Sequence, residues 1–348
     1  MLEERVSVSL FRSITPFELK NKSVGNGSPL DDSKQKEEKS FNQCRILSHN
    51  INGIKGNRFK LINLLDSAHS IKANIIGVSE TNVNKKEGNF LNKDIDNYIG
   101  FWSERDSKVK GSGVAIFLDH NWEKHVGQTL SNSPYDIEVE CFFKGVTFHF
   151  VQVYLPPNDP TTRSTVVTTV KNRVNDPKLR NQRHKFVIMG DFNSVINKDI
   201  DSKGPRLHGS NGAKHFIDFL AKKGFIDTYR MFFPHNRAYT WFSADKSRAS
   251  RIDYIWCSPN LDRFLIDANI KDSNLVTDSD HLITYAAFDC STLIRNHNCT
   301  KARSNTHPRK IFYYDQMDQD KWDQFQEYLD GHPEINNFID KVDEILLD

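Results

Sequence analysis

The sequence predicts an α/β fold in which two mixed β-sheets pack face to face with helices on the outside. Two observations carry that expectation. Short apolar or alternating runs of strand length recur from Asn42 to about Cys290, whereas only two segments show clear helical periodicity. A doubly wound parallel sheet needs a crossover helix for almost every strand, more than the chain supplies. Strands in this number with so few helices stack as a four-layer sandwich, helices outermost.

Along the chain, "CRILSHNI" alternates at its start, and "NIIGVSE" and "GVAIFL" are short apolar runs. "IEVECFF-KG-VTFHFVQVYLP" reads as a hairpin turning at Lys144-Gly145. "KFVIMGDFN", "YTWF", "SRIDYIWC" and "HLITYAAF" continue the series. Between them, "NRFKLINLLDSAHSIK" sets Leu61, Leu64, Leu65 and Ala68 at helical spacing. "AKHFIDFLAKKGFID" places Phe216, Phe219 and Leu220 on one face, with Gly224 as its C-terminal stop. "TTRSTVVTTVKNRVNDPKLRNQRHK" reads as a helix followed by a basic turn.

Residues 1–40 are polar and charged with too little apolar content to fold alone, so a disordered tail is expected there. A single domain is expected over 42–290. The remainder, 291–348, reads as a basic linker followed by an acidic helical segment. A net charge of +2 permits nucleic-acid binding without requiring it. No run approaches the roughly 18 apolar residues of a membrane span, and the N-terminus shows no secretory pattern. The expected location is intracellular, in nucleus or cytoplasm. Five cysteines without CxxC spacing fit reduced, buried thiols rather than disulfides or a zinc site.

Function is read from the ends of the strands. "LSHNINGIKG" carries Asn50 and Asn52, "NIIGVSET" ends on Glu80, and "VQVYLPPND" ends on Tyr154 and Asn158. Each alone has a plain reading as turn chemistry or a solvated acid. "GDFNSV" is sharper: Gly190 permits close backbone approach, Asp191 can hold or deprotonate a water, and Asn193 can donate to a ligand oxygen. "SRIDYIW" buries Asp253 between apolar neighbours, where a carboxylate needs a partner. "DSDHLITY" offers one, since Asp280 and His281 adjoin the next strand, and a buried Asp orients and charges an imidazole. Carboxylates gathered at one rim repel one another unless a cation sits among them. A carboxylate or two, waters and phosphate oxygens form the usual Mg²⁺ environment. Such a set can hydrolyse a phosphodiester.

The order "NINGI", "SET", "VYLPPN", "GDFN", "YTWF", "SRIDYI" and "SDH" resembles the endonuclease/exonuclease/phosphatase (DNase-I-like) superfamily over Asn42 to about Phe288. The spelling looks most like the apurinic-type endonuclease domain of non-long-terminal-repeat (LINE-type) retrotransposons. The segment with Trp322 and Phe325 is similar to the connector preceding the reverse transcriptase in those elements. No Tyr-x-Asp-Asp polymerase signature is present.

The resemblance implies Mg²⁺, with Mn²⁺ as a substitute, held through Glu80 with help from Asn50, Asn52 and Asp280. It implies that Asp191 activates water, that Tyr154, Asn158 and Asn193 hydrogen-bond the phosphate, and that His281, oriented by Asp253, donates to a non-bridging oxygen. Apurinic endonucleases carry Asp at Asn52, so one negative charge fewer and weaker metal binding are expected here. Retroelement members share the Asn. The aromatic pair around Thr240 is part of the same resemblance. The loop "FSADKSRASR" is expected to bring Lys246, Arg248 and Arg251 to DNA. "DIDSKGPRLHGSNGAK" is a second candidate loop, and Trp102 and Trp241 are expected in the core.

The expected activity is a DNA endonuclease that nicks one strand to leave a 3′-hydroxyl, acting as a monomer on DNA. The rivals are a phosphomonoesterase or phospholipid-head-group hydrolase on the same scaffold, and a remnant that no longer cuts.

Overall fold

A computed structural model describes residues 43–205, 213–273, 276–295 and 319–330. The tail expected over 1–40, most of the expected basic linker and residues 206–212 of the second candidate loop lie outside the described residues. The chain divides into two units, 1–299 and 300–348. Within the second, a helix runs over Gln319–Asp330.

The first unit holds two six-stranded sheets and a small three-stranded one. In chain order the strands are β1 (Gln43–Asn50), β2 (Ile75–Ser79), β3 (Tyr98–Trp102), β4 (Val114–Asp119), β5 (Val126–Ser133), β6 (Asp136–Phe143), β7 (Val146–Tyr154), β8 (His184–Asp191), β9 (Ser202–Lys203), β10 (Ile226–Asp227), β11 (Trp241–Phe242), β12 (Ala249–Ser250), β13 (Asp253–Cys257), β14 (Leu265–Lys271) and β15 (Ile283–Asp289). One sheet has the order β14-β15-β1-β2-β4-β3 and the other β10-β13-β8-β7-β6-β5. The pairs β1–β2 and β7–β8 are parallel and their neighbours antiparallel, so both sheets are mixed as expected.

The facing apolar surfaces form one core. Ile46, Ile75 and Ile116 of the first sheet join Val139, Phe150 and Ile188 of the second, all fully buried. Behind the first sheet, Leu61, Leu64, Leu65 and Ala68 of α1 (Phe59–Ser70) cover Leu47, Ile76 and Phe117 in a second apolar layer. Val166, Val167 and Val170 of α2 (Pro160–Asn175) and Phe216, Ile217 and Leu220 of α3 (Lys214–Lys222) close the main core. The turn at Lys144-Gly145 joins Phe143 to its partner Val146 with Gly145 at φ 89°. Gly224 ends α3 at φ 78°. Cys44, Cys141, Cys257 and Cys290 are buried free thiols, and Cys299 lies outside the described residues.

Register decides what stands at the sheet ends. In the second sheet Tyr154 pairs with Asp191 and Asp191 with Asp253, so three chemical groups from three strands form a row. In the first sheet Asn50 pairs with Ser79, which puts Glu80 one residue beyond it. The backbone at Trp241 bridges to His281, which immediately precedes β15 by way of Leu282.

Candidate active site

The strand ends converge. A pocket of about 460 Å³ is lined by Asn50, Asn52, Glu80, Tyr154, Asn158, Asp191, Asn193, Asp280 and His281 among others. Asp253, the remaining catalytic candidate, is buried behind His281. The local backbone departs from regular strand geometry where these side chains emerge. Asn52, Glu80 and Asn193 have φ of 51°, 54° and 47°, a conformation that non-glycine residues adopt sparingly and that concentrates at functional sites. Gly190 is required by its surroundings: at φ 131° a Cβ would lie 1.9 Å from the Val153 carbonyl oxygen.

Asn50 links the two sheets. Its Nδ2 donates to Glu80 Oε1 at 2.9 Å and to Asp191 Oδ2 at 3.0 Å, while its Oδ1 accepts from the Asn52 N–H at 3.1 Å. Asp191 Oδ1 accepts from the Asn193 N–H at 2.8 Å, and Asn193 Nδ2 donates to the Leu155 carbonyl at 3.0 Å. His281 Nδ1 lies 2.9 Å from Asp253 Oδ2, and its Nε2 lies 4.0 Å from Asp191 Oδ2. The imidazole is therefore held from behind and faces the pocket on its other nitrogen.

Charge follows from burial and proximity. Burial, then the Asp253 and Glu80 carboxylates, push Asp191 up to about 8 against the pull of His281. Burial opposes charge on His281, but the charge and hydrogen bond of Asp253, helped by Asp191 and Asp280, raise it to about 10. Burial, with Glu80 and Asp191 nearby, keeps the Tyr154 phenol protonated. Even with Asp191 held largely protonated near neutral pH, Glu80, Asp253 and Asp280 meet a single imidazolium, leaving an excess of negative charge with oxygen donors throughout. The nitrogen of Asn50 already occupies a position between Glu80 and Asp191 where positive charge is favoured. This donor set fits a hard divalent cation.

The structure corrects three expectations around the β11–β12 hairpin. Arg251 is not available to DNA: it is buried, with Nε 2.7 Å from Asp201 Oδ1 and an Nη 2.7 Å from Asp227 Oδ2. A guanidinium can be buried this way only because two carboxylates neutralise it. Thr240 is fully buried, and its hydroxyl accepts from the backbone N–H groups of Ile252 and Asp253 at 3.0 and 3.1 Å. It braces Asp253 instead of touching a ligand. Trp241 is half-buried and lines the pocket, whereas Trp102 is a core residue. Lys246 is exposed at the hairpin tip and Arg248 lines the pocket.

Sequence reasoning missed two features. One is a groove of about 560 Å³ that shares Asn52 with the pocket and is lined by Lys55, Lys60, Arg105, Lys108 and Lys110. Asn82 shapes it, its Oδ1 accepting from Gly111 N–H at 2.9 Å and Ser112 N–H at 3.3 Å. The signal was present in "NGIKGNRFK" and "SERDSKVKG", basic runs placed just past strand ends. The other is a buried cluster of Glu138, Glu140 and His149. Arg173 bonds both glutamates, so the cluster already contains its cation and reads as an ion-pair network.

The fold and the site together define a phosphoester hydrolase of the nuclease and phosphatase type. Residues 47–281, most of the chain, match the Endonuclease/Exonuclease/phosphatase family, and the protein belongs to it. Solved structures share the fold. The chain is similar to a 3′ phosphatase, NExo, from Neisseria bound to a product DNA hairpin (20% identity, 71% of this chain and 99% of that one, TM-score 0.58). It is similar to the AP endonuclease LMAP from Leishmania major (14%, 75% and 96%, 0.60). It is also similar to an AP endonuclease from Archaeoglobus fulgidus (22%, 71% and 99%, 0.56).

Proposed function

We propose that this protein is a divalent-cation-dependent DNA endonuclease that nicks one strand and leaves a 3′-hydroxyl, the activity LINE-type retroelements need at their target sites. One observation carries the reading: the acidic pocket shares Asn52 with an open groove lined by five Lys and Arg side chains. Cations spread along a groove suit the successive phosphates of a polymer, whereas a small phosphomonoester calls for a compact basic pocket. The relatives named above as an AP endonuclease and a DNA-bound 3′ phosphatase are consistent with a nucleic-acid substrate.

The residues divide the work as follows. Glu80, Asn50, Asn52 and Asp280 would hold Mg²⁺, or Mn²⁺ in its place, which supplies Lewis-acid stabilisation of the phosphoryl oxygens. Asp191, in its ionised form, orients a water and takes its proton as the water oxygen bonds to phosphorus. The P–O3′ bond breaks and the departing O3′ takes a proton from solvent, giving a 3′-hydroxyl and a 5′-phosphate. His281, kept charged by Asp253, donates from Nε2 to a non-bridging oxygen as negative charge collects there. Tyr154, a phenol locked in its donor form, and the carboxamides of Asn158 and Asn193 position the phosphate. Lys246 and Arg248 meet the strand from the hairpin, and the groove lysines meet it on the far side.

The test is conversion of supercoiled plasmid to the nicked circle by purified protein with Mg²⁺. Parent protein should nick, and Asp191→Ala and His281→Ala should bind DNA yet fail to nick. Phosphate release from inositol phosphates without nicking would replace this reading with the phosphomonoesterase one.

A further inference from the structure

Asp280 is solvent-exposed, yet both of its carboxylate oxygens are held. Asn52 Nδ2 donates to Oδ1 at 3.2 Å, and the indole N–H of Trp241 donates to Oδ2 at 2.8 Å. The backbone repeats the connection: Phe242 N–H donates to the Asp280 carbonyl at 3.1 Å, and Leu282 N–H donates to the Thr240 carbonyl at 2.6 Å. On its other side the Trp241 ring carries the Arg248 guanidinium, 6.0 Å from the ring centroid. One half-buried side chain therefore touches both a candidate metal ligand and a candidate DNA contact.

We infer that Trp241 is a positioning residue that aligns the Asp280 carboxylate for the cation and ties that alignment to the β11–β12 hairpin. The inference rests on the proposed function. An exposed carboxylate with a free torsion samples many orientations, and fixing both oxygens removes that loss before a cation arrives. Because the donor is an indole N–H, aromatic bulk alone cannot substitute for it. The pairing also makes strand engagement by Arg248 and cation retention at Asp280 depend on the same ring, so each should favour the other.

The decisive variant is Trp241→Phe, which keeps an aromatic platform for Arg248 and deletes the donor. Calorimetric titration of the full chain with Mg²⁺ should show affinity reduced by about tenfold, the usual effect of losing a hydrogen bond to a metal ligand. Binding of the same protein to duplex DNA in EDTA should stay within about twofold of the parent, a split that a merely structural role would not produce. The second measurement needs no variant: the Trp241 indole ¹H–¹⁵N resonance of the parent should move as Mg²⁺ saturates. Unchanged Mg²⁺ affinity in a folded Trp241→Phe protein, or an indole resonance that stays in place through saturation, would overturn the inference. If the parent binds no Mg²⁺, the proposed cation dependence falls along with it. Normal binding by both proteins removes this inference alone.

Discussion

Replacing Asp253 by Asn removes a negative charge 2.9 Å from His281 Nδ1 and leaves a side chain of the same shape that can still accept from the ring. The rise of His281 from 6.5 to about 10 corresponds to roughly 5 kcal/mol of preference for the imidazolium, at about 1.4 kcal/mol per unit. Asp253 is the largest of the causes that raise it, and burial alone acts in the opposite direction. In Asp253→Asn the imidazole should therefore titrate well below its position in the parent, with only Asp191 and Asp280 left to oppose burial, so that a much smaller fraction remains charged at about pH 7.5. Nicking at that pH should fall in proportion. The loss should shrink at lower pH, where the imidazolium re-forms. The same substitution removes one of the charges that raise Asp191, which lets the base ionise at lower pH and moves the optimum further to the acid side. The assay is the initial rate of plasmid nicking across the pH range at saturating Mg²⁺, with DNA binding measured in parallel. A profile unmoved in position and height would refute the argument that Asp253 sets the charge of His281. A uniform loss at every pH would reduce Asp253 to a structural support.

Arg251→Met should lower stability by about 3–5 kcal/mol in urea unfolding, because Asp227 would be left buried without its ion-pair partner and Asp201 would keep only Arg230. Lys246→Ala should instead keep the parent stability and weaken DNA binding with a shallower salt dependence, and a stability loss there would contradict its exposed placement. In EDTA, thermal stability should decline as pH rises. Asp191 and His281 both bind protons more tightly when folded, so their contributions are complete below 3.8 and 6.5 and are lost as pH passes about 8 and about 10; a flat melting temperature between about pH 6 and about pH 9 would count against this. Asn52→Asp should set a second carboxylate beside Asp280 and tighten Mg²⁺ binding several-fold in a calorimetric titration, at a cost in metal-free stability. Gly190→Ala should destabilise by more than about 2 kcal/mol in denaturant titration, since the added Cβ collides with backbone of the adjacent strand.

Local sequence was sufficient for everything that depends on neighbours along the chain. Apolar runs of strand length, the 3.6-residue spacing of Leu61, Leu64, Leu65 and Ala68, and the Lys144-Gly145 turn each act over a few residues, so order alone specifies them. The candidate residues were legible for a related reason: a polar group just past a buried strand must emerge at the end of a sheet, and Asn50, Glu80, Tyr154 and Asp191 do. Only the tertiary structure decided which polar groups are neutralised by partners distant in sequence. Arg251 reads like any loop cation until the fold brings Asp201, 50 residues away, onto its guanidinium. Trp241 reads as core until register sets its indole N–H against Asp280. The groove cations come from two segments, 55–60 and 105–110, that are distant in sequence and that one surface unites. Coulomb energy and desolvation depend on distances through space, and strand register, which a composition or a spacing cannot express, is what sets them.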